Sequence, residues 1–239
     1  MNLTGIEWCD FTWNPVTGCE PASAGCLNCY ARVMAKRLAG NPGVRHRERY
    51  EGFGVSYWPE RLEEPLRRRK GAKVFVCSMG DLGCEDVRYE WLEAIARVMD
   101  AAPQHRYMVL TKRPGDWLKL LPPSCWVGVT VEKQEYVWRW PVLGSCAWPG
   151  AVKFVSVEPM LGPVSFGWPL RRKPDWVIAG PETGAGAREC RDEWIEKLAG
   201  ECGCFFDKRK GEGRRREWPA GVDQGSTGAS PVVAGRGVR

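Results

Sequence analysis

Three cysteines lie close together near the start of the sequence. Cys19, Cys26 and Cys29 have the spacing C-x6-C-x2-C, and the residues between them are mostly small or turn-forming. Such surroundings do not suit cysteines that serve as core residues. Three thiolates in one loop can bind three irons of a cubic 4Fe-4S cluster and leave the fourth iron open to a small ligand. The spacing therefore predicts an iron–sulfur site.

A closed zinc site is the alternative, because structural zinc prefers four protein ligands. Cys9 is available as a fourth ligand ten residues before Cys19, but it lies in a predicted strand and need not face the loop. The two histidines of the chain, His46 and His105, supply little for a histidine-based site. The total of 11 cysteines is odd, which argues against a disulfide framework.

Short apolar runs alternate with helical patterns in the region that follows the cysteines, and a further run precedes them. The predicted strands are Ile6–Trp13, Lys73–Cys77, Arg106–Thr111, Trp126–Val131, Lys153–Val157, Asp175–Ala179 and Cys204–Phe206. The predicted helices are Cys29–Leu38, Pro59–Leu66, Tyr89–Ala102, Pro114–Leu121, Lys133–Trp140 and Asp192–Gly200.

This alternation predicts an α/β fold with a parallel sheet covered by helices. We expect an incomplete, TIM-like β/α barrel of six or seven mainly parallel strands. A doubly wound sheet is the alternative, but its glycine fingerprint is absent. Residues 1–210 should form the barrel domain, with an extended insertion at 39–71. The Gly/Arg-rich tail, 211–239, should pack loosely or cover the barrel as irregular chain.

Eight stretches of the chain carry recognisable motifs: Ile6–Cys19, Ala24–Ala31, Val74–Asp81, Leu110–Pro114, Val127–Glu132, Ser156–Pro163, Asp175–Glu182 and Gly186–Arg188. Together they resemble the three-cysteine, radical-SAM-like protein family common in bacteriophages. The resemblance covers the chain up to about Lys210. One departure from radical-SAM enzymes at large is the first cysteine gap, which is three residues longer than their C-x3-C-x2-C, and Asn28 stands before the last cysteine.

The resemblance implies a barrel of the radical-SAM type and a specific chemistry. A 4Fe-4S cluster on Cys19, Cys26 and Cys29 would bind S-adenosylmethionine (SAM) through its amino and carboxylate groups. One electron from an external reductant would then yield a 5′-deoxyadenosyl radical, which abstracts hydrogen from an unactivated carbon. The cofactor supplies the chemistry, and the protein orients it.

Polar residues collect at the carboxyl ends of the predicted strands, where β/α barrels place their sites. Asp81, Glu132 or Glu158 would accept from the SAM ammonium or ribose hydroxyls, and Lys112 would pair with its carboxylate. Glu182 follows a further strand. The full set of candidate cofactor-binding residues is Asn14, Ser78, Asp81, Lys112, Thr130, Glu132 and Glu158.

Basic residues form three dense clusters, 45–49, 67–70 and 208–216, in a chain of net charge +6. Such clusters suit contact with a nucleic-acid backbone, and the nearby rings of Tyr50, Trp58 and Trp218 suit base stacking. A solvated basic surface is the alternative interpretation. The candidate DNA contacts are Arg67, Arg68, Arg69, Arg214, Arg215 and Arg216.

The resemblance to phage proteins implies a DNA substrate, for example an amino-acid-modified thymidine that is isomerised during hypermodification. A peptide or small metabolite is the alternative substrate of such an enzyme. A non-catalytic zinc-loop module that binds nucleic acid is the alternative from another class of protein. No apolar run approaches the roughly 18 residues of a membrane span, and no export signal is visible. We therefore expect a cytoplasmic protein, with a monomer favoured.

Overall fold

The computed structural model describes residues 1–167 and 173–220. Within them it contains ten strands and four α-helices. The strands are β1 (Asn2–Leu3), β2 (Phe11–Trp13), β3 (Val16–Thr17), β4 (Ser56–Tyr57), β5 (Lys73–Val76), β6 (Arg106–Thr111), β7 (Trp126–Thr130), β8 (Lys153–Val157), β9 (Trp176–Ala179) and β10 (Phe205–Asp207). The helices are α1 (Tyr30–Ala39), α2 (Tyr89–Ala101), α3 (Arg139–Cys146) and α4 (Asp192–Glu201).

The strands form one large sheet whose order follows the chain. The sequence of neighbours is β1-β2-β5-β6-β7-β8-β9-β10, and β3 pairs with β4 outside it. Within the large sheet, every pairing from β2 to β10 is parallel, and β1 pairs antiparallel with β2. In a doubly wound fold the strand order reverses part-way across the sheet, and here it never does. The expected α/β fold with a mainly parallel sheet is therefore confirmed. In the described residues β1 and β10 do not pair with each other, so the sheet is open.

The two faces of the sheet have different coverings. Alternate strand residues, such as Val127 and Val155, pack with Leu92, Leu143 and Leu198 of α2, α3 and α4. The opposite face carries a separate cluster of mostly aromatic side chains and no α-helix among the described residues. Because successive side chains of a strand point to opposite faces, each long strand contributes to both clusters. None of the described helices is both long and apolar enough to cross a membrane.

The uncovered face is curled around the indole of Trp8. Its ring centroid lies 4.6 Å from Phe75 on β5 and 6.4 Å from Trp176 on β9. Three strands separate β5 from β9, and a flat sheet would hold them about 19 Å apart. The sheet therefore bends towards this face, and aromatic rings fill the space it encloses.

The insertion at 39–71 is more compact than the sequence suggests. Tyr50, Phe53 and Trp58 are buried and pack against Ala31 and Ala35 of α1. Two separate 3₁₀ turns, Pro59–Arg61 and Pro65–Arg67, replace the single predicted helix. Trp58 also donates a hydrogen bond to Thr17. The prediction that Tyr50 and Trp58 stack on nucleic-acid bases is wrong, because both rings are core residues.

The described part of the tail, 211–220, packs on the free edge of β10. The Asp207 amide donates to the carbonyl of Arg215, and the Glu217 amide donates to that of Phe205. Trp218 then packs against Trp176 with 4.9 Å between the ring centroids and a tilt of 32°, so its half-buried ring is engaged in packing rather than free for bases. The chain from 221 onward lies outside the described residues.

The predicted helix at 133–140 is the clearest misplaced element. The structure has a 3₁₀ turn at Gln134–Tyr136, and α3 begins only at Arg139. Pro141 lies in the first turn of α3, where its missing N–H costs no hydrogen bond. The predicted helix at 114–121 is likewise a 3₁₀ turn, Asp116–Leu120.

Candidate functional site

A cavity of about 480 Å³ lies at the carboxyl ends of the parallel strands. Its apolar side is formed by Trp8, Phe75 and Leu110, which belong to the curled face or pack against it. Its polar side contains all three loop cysteines and most of the predicted cofactor residues. The members of both predicted sets that line it are Cys19, Cys26, Cys29, Ser78, Asp81, Lys112, Thr130 and Glu158. The curled sheet therefore brings eight of the ten predicted residues to one cavity.

Asn14 and Glu132 lie behind the cavity wall rather than on it. Asn14 is buried, and its side-chain oxygen accepts from the Met79 amide at 2.9 Å and from the Ser78 hydroxyl at 3.3 Å. Glu132 is fully buried. Because both groups are occupied within the protein, their geometry suits positioning of the wall rather than contact with a cofactor.

Glu132 connects the cysteine loop to the sheet and to α3. It forms ion pairs with Lys112 and with Arg139, the latter at 3.0 Å, and it accepts from the Ser23 hydroxyl. The Lys112 ammonium also donates to Ser23 at 3.1 Å. Ser23 lies between Cys19 and Cys26, so this buried charge network fixes the centre of the loop.

Asp81, in the loop after β5, fixes the chain at the end of β6 through its carboxylate. Its carboxylate accepts from the Thr111 hydroxyl at 2.6 Å, the Lys112 amide at 3.0 Å and the Gly83 amide at 2.9 Å. Three short hydrogen bonds use most of the acceptor capacity of a carboxylate. Asp81 therefore orients the Lys112 backbone on the cavity wall.

Glu182 holds the end of the cysteine loop that precedes α1. Glu182 accepts from the Asn28 side chain at 3.0 Å and from the backbone and side chain of Arg188. Arg188 in turn donates to the Ala24 carbonyl at 2.9 Å. Hydrogen bonds from the Arg188 side chain lower the pKa of Glu182 to about 2. The interactions of Arg188 and Asn28 are not readable from the sequence, because these residues meet only when the loops fold together.

The environment of Cys26 favours a thiolate. The Ala22 amide donates to its sulfur at 3.3 Å. Burial opposes ionisation of the Cys26 thiol, but the Ala22 amide and the Lys112 ammonium hold its pKa below the ordinary value. A thiolate is the form that ligates a metal. Cys29 directly precedes α1 as its N-cap residue.

Cys84 is a fourth thiol next to the site, and it is also buried in the core on the helix-covered face of the sheet. A hydrogen bond with Cys84 raises the pKa of the Cys19 thiol, and the same bond lowers the pKa of Cys84. Cys84 follows β5 in the same loop as Asp81, and this position in the sequence is the signal that could have placed it near the site. Cys9, by contrast, belongs to the opposite aromatic cluster, and burial raises the pKa of its thiol to about 12.

The donor set fits an iron–sulfur cluster: three thiols on one wall, one of them biased towards the thiolate, beside an ammonium and carboxylates. In residues 1–167 and 173–220, however, no three His, Cys, Asp or Glu side chains converge closely enough to chelate a metal ion. The cysteines share the cavity, and ligation would require their side chains to turn towards a common point.

Lys208 is a further cavity residue that the sequence reasoning did not assign. It follows β10 and forms an ion pair with Glu158, which follows β8. The pair lies on the wall with both side chains about one-fifth exposed. Sequence order gives no hint of the pairing, because it depends on the curl of the sheet.

The predicted DNA-contact residues lie away from the cavity lining. The Arg68 guanidinium lies 4.3 Å from the ring centre of Phe11, at the amino end of β2, which places 67–69 at the opposite edge of the sheet. Arg215 forms two hydrogen bonds with Glu217, and Arg216 pairs with Glu7 at 3.0 Å. The Arg214 side chain has one buried nitrogen without a hydrogen-bond partner among the described residues.

Comparison with known families gives one match. Residues 3–226 match the family described as "Protein of unknown function (DUF5131)", which is most of the chain. The chain belongs to DUF5131. Neither the curated proteins nor the solved structures contain a match. Every cavity residue named above lies within the part that matches DUF5131, and the match continues past residue 210 into the tail.

Proposed function

We propose that this DUF5131 protein is a radical-SAM enzyme that modifies a DNA base. The observation that carries the proposal is that Cys19, Cys26 and Cys29 all line one cavity at the carboxyl ends of a sequentially ordered parallel sheet. That edge of the sheet is where β/α enzymes place their reacting groups. The curl and strand order further support an incomplete barrel of the radical-SAM type.

The three loop thiols would hold a 4Fe-4S cluster. When bound, the cluster and SAM would supply a 5′-deoxyadenosyl radical for hydrogen abstraction. Glu158 and Lys208 would contact the polar end of SAM, because both line the wall and remain partly exposed. Lys112 and Thr130 also line the cavity, and Glu132 and Asp81 would hold Lys112 in place. The apolar side of the cavity would exclude water from a reactive carbon.

The target base would have to leave the DNA stack to enter such a cavity, at a cost of a few kcal/mol. A cavity of about 480 Å³ falls in the range of small-molecule sites. The candidate reaction is isomerisation of an amino-acid-modified thymidine, and a peptide or small metabolite is the alternative substrate. An external one-electron reductant is required, and we place the protein in the cytoplasm, where thiols stay reduced.

Anaerobic reconstitution with iron and sulfide tests the proposal. The wild-type protein should turn brown and, with SAM and dithionite, release 5′-deoxyadenosine. Mass analysis of DNA digested after the incubation should then show a changed nucleoside. DNA binding should weaken steeply between about 50 and 200 mM salt. A colourless protein that forms no deoxyadenosine contradicts the proposal.

A zinc-binding module that contacts nucleic acid is the second candidate, and one observation favours it. Cys84 adjoins Cys19, so four thiols rather than three are available near the loop. Structural zinc prefers such a set of four. One tightly bound zinc per chain, retained by the protein in air and lost in a Cys84→Ala variant, would support this candidate over the enzyme.

A further inference from the structure

Helix α1 exposes large apolar side chains on the face that points away from the core. Tyr30, Val33 and Met34 follow the i, i+3, i+4 spacing of one helical face, and their exposed fractions are 55, 51 and 41 %. The buried face carries the small residues Ala31 and Ala35, and Leu38 packs half-buried against the same cluster. An amphipathic helix normally buries its large apolar residues and exposes polar ones. This inversion indicates a face built for contact with another molecule.

The exposed face continues into the cysteine loop. Leu27, three residues before Tyr30, is 77 % exposed. Four of the nine large hydrophobic side chains that are exposed in the described residues therefore lie within eight positions. We call Leu27, Tyr30, Val33 and Met34 the α1 patch. Contiguous apolar patches rimmed by polar residues mark protein interaction sites.

The rim of the α1 patch is strongly basic. Residues 27–49 contain six Lys or Arg and a single acid, Glu48. Lys36 and Arg37 lie within one helical turn of Val33, both are exposed, and neither forms an ion pair with the described part of the chain. An apolar centre with an unpaired positive rim is complementary to a partner with an acidic surface.

The α1 patch also adjoins the cavity. Tyr30 lines it, and so do Asn28 and Cys29, which lie between Tyr30 and Leu27. The Tyr30 hydroxyl is buried and donates to the Ser78 carbonyl, while 55 % of the residue's surface stays exposed. A molecule that covers the patch therefore approaches the cysteine wall more closely than one bound at the basic cluster 67–70.

We infer that the α1 patch docks an acidic one-electron carrier protein, a reduced flavoprotein or iron–sulfur protein, which reduces the group held by the three cysteines. This inference rests on the proposed function. The carrier loses one electron and the cluster gains it, and no bond forms or breaks in that step. A patch of four side chains suits the small interfaces of redox encounters. Its aliphatic centre, with one ring, is poorly suited to base stacking.

The experiment uses the full chain, a reduced bacterial flavodoxin as the acidic probe, and two paired variants. Lys36→Glu with Arg37→Glu reverses the rim, and Val33→Ser with Met34→Ser removes the apolar centre. Arg67→Glu with Arg69→Glu is the matched control, since it makes the same charge change at the opposite edge. Each α1 variant should weaken flavodoxin binding at least tenfold, and the control should not. Wild-type binding should weaken as salt rises.

Activity separates the docking inference from the proposed function. The α1 variants should lose at least tenfold in deoxyadenosine formation driven by flavodoxin and keep the rate driven by dithionite. If the wild type forms no deoxyadenosine with dithionite, the radical function is refuted. The docking inference is then still tested, because flavodoxin binding is measured separately. Flavodoxin binding that is absent, or equal in all variants, overturns the docking inference. Loss of single-stranded DNA or anionic-vesicle binding in the α1 variants, without flavodoxin binding, also overturns it.

Discussion

Glu132 lies directly against Gly25, the residue before the second loop cysteine. A Cβ atom added to Gly25 would stand 2.5 Å from the Glu132 Oε1 atom and 2.8 Å from its Cγ atom. Glu132 cannot move aside easily, because Arg139, Lys112 and Ser23 all hold its carboxylate. The close approach of loop and strand end therefore requires glycine at this position.

Replacement of Gly25 by alanine should displace the cysteine loop. Overpacking of a fixed site costs about 1–3 kcal/mol, and the thiols would leave their common wall. We expect a lower midpoint in urea unfolding and a loss of reconstituted iron. Gly144→Ala in α3 is the control, since nothing lies within 4 Å of its added Cβ. That variant should be as stable as wild type or more so, and an iron content equal in both variants would contradict the prediction.

Replacement by glutamine should affect the stability of the protein differently at Glu132 and at Glu158. Glu132→Gln leaves Arg139 partly unpaired in a buried site, and breaking a buried pair costs about 3–5 kcal/mol. Glu158 is one-fifth exposed, so Glu158→Gln should unfold at nearly the wild-type urea concentration. It should instead weaken SAM binding, measured by calorimetry on the reconstituted protein. Normal SAM affinity in Glu158→Gln would place the cofactor elsewhere in the cavity.

The Glu182–Arg188 pair should give a defined pH dependence. Because hydrogen bonds from Arg188 lower the pKa of Glu182 from 4.5 to about 2, the carboxylate stabilises the fold fully above pH 4.5. That contribution declines as the pH falls from 4.5 towards 2. Glu182→Gln should therefore be less stable than wild type at pH 7, and the difference should shrink over this window. Urea titrations at several pH values measure it, and a difference that stays constant with pH would disprove the assignment.

Cysteine variants distinguish the two metal sites. For the iron–sulfur enzyme, Cys19→Ala, Cys26→Ala or Cys29→Ala should abolish the visible absorbance of the cluster, whereas Cys9→Ala should retain it. Cys84→Ala should also retain it, because three thiols suffice. Iron and sulfide assays of the purified variants measure the outcome. Complete loss of metal in Cys84→Ala would show a four-thiol site and exclude the radical chemistry.

The sequence predicts the framework of this fold well, because each parallel strand is buried on both faces and reads as a short apolar run. Arg106–Thr111 and Lys153–Val157 have the predicted bounds. It also predicts which strand ends carry polar groups. The direction of each side chain is not encoded locally: Asn14 and Glu132 turn behind the wall because nearby amides, hydroxyls and cations satisfy them there. The pairings of Arg215 and Arg216 likewise depend on contacts distant in the sequence.

The two ends of the sheet are closed by short antiparallel pieces of chain. β1 covers β2 on one side, and residues 215–217 run along β10 on the other. Exposed strand edges invite pairing between molecules and aggregation. Removal of the chain after Lys210, although it would leave every cavity residue in place, would uncover the backbone of β10 and the ring of Trp176. We therefore expect the chain cut after Lys210 to be less soluble at high concentration than the full chain.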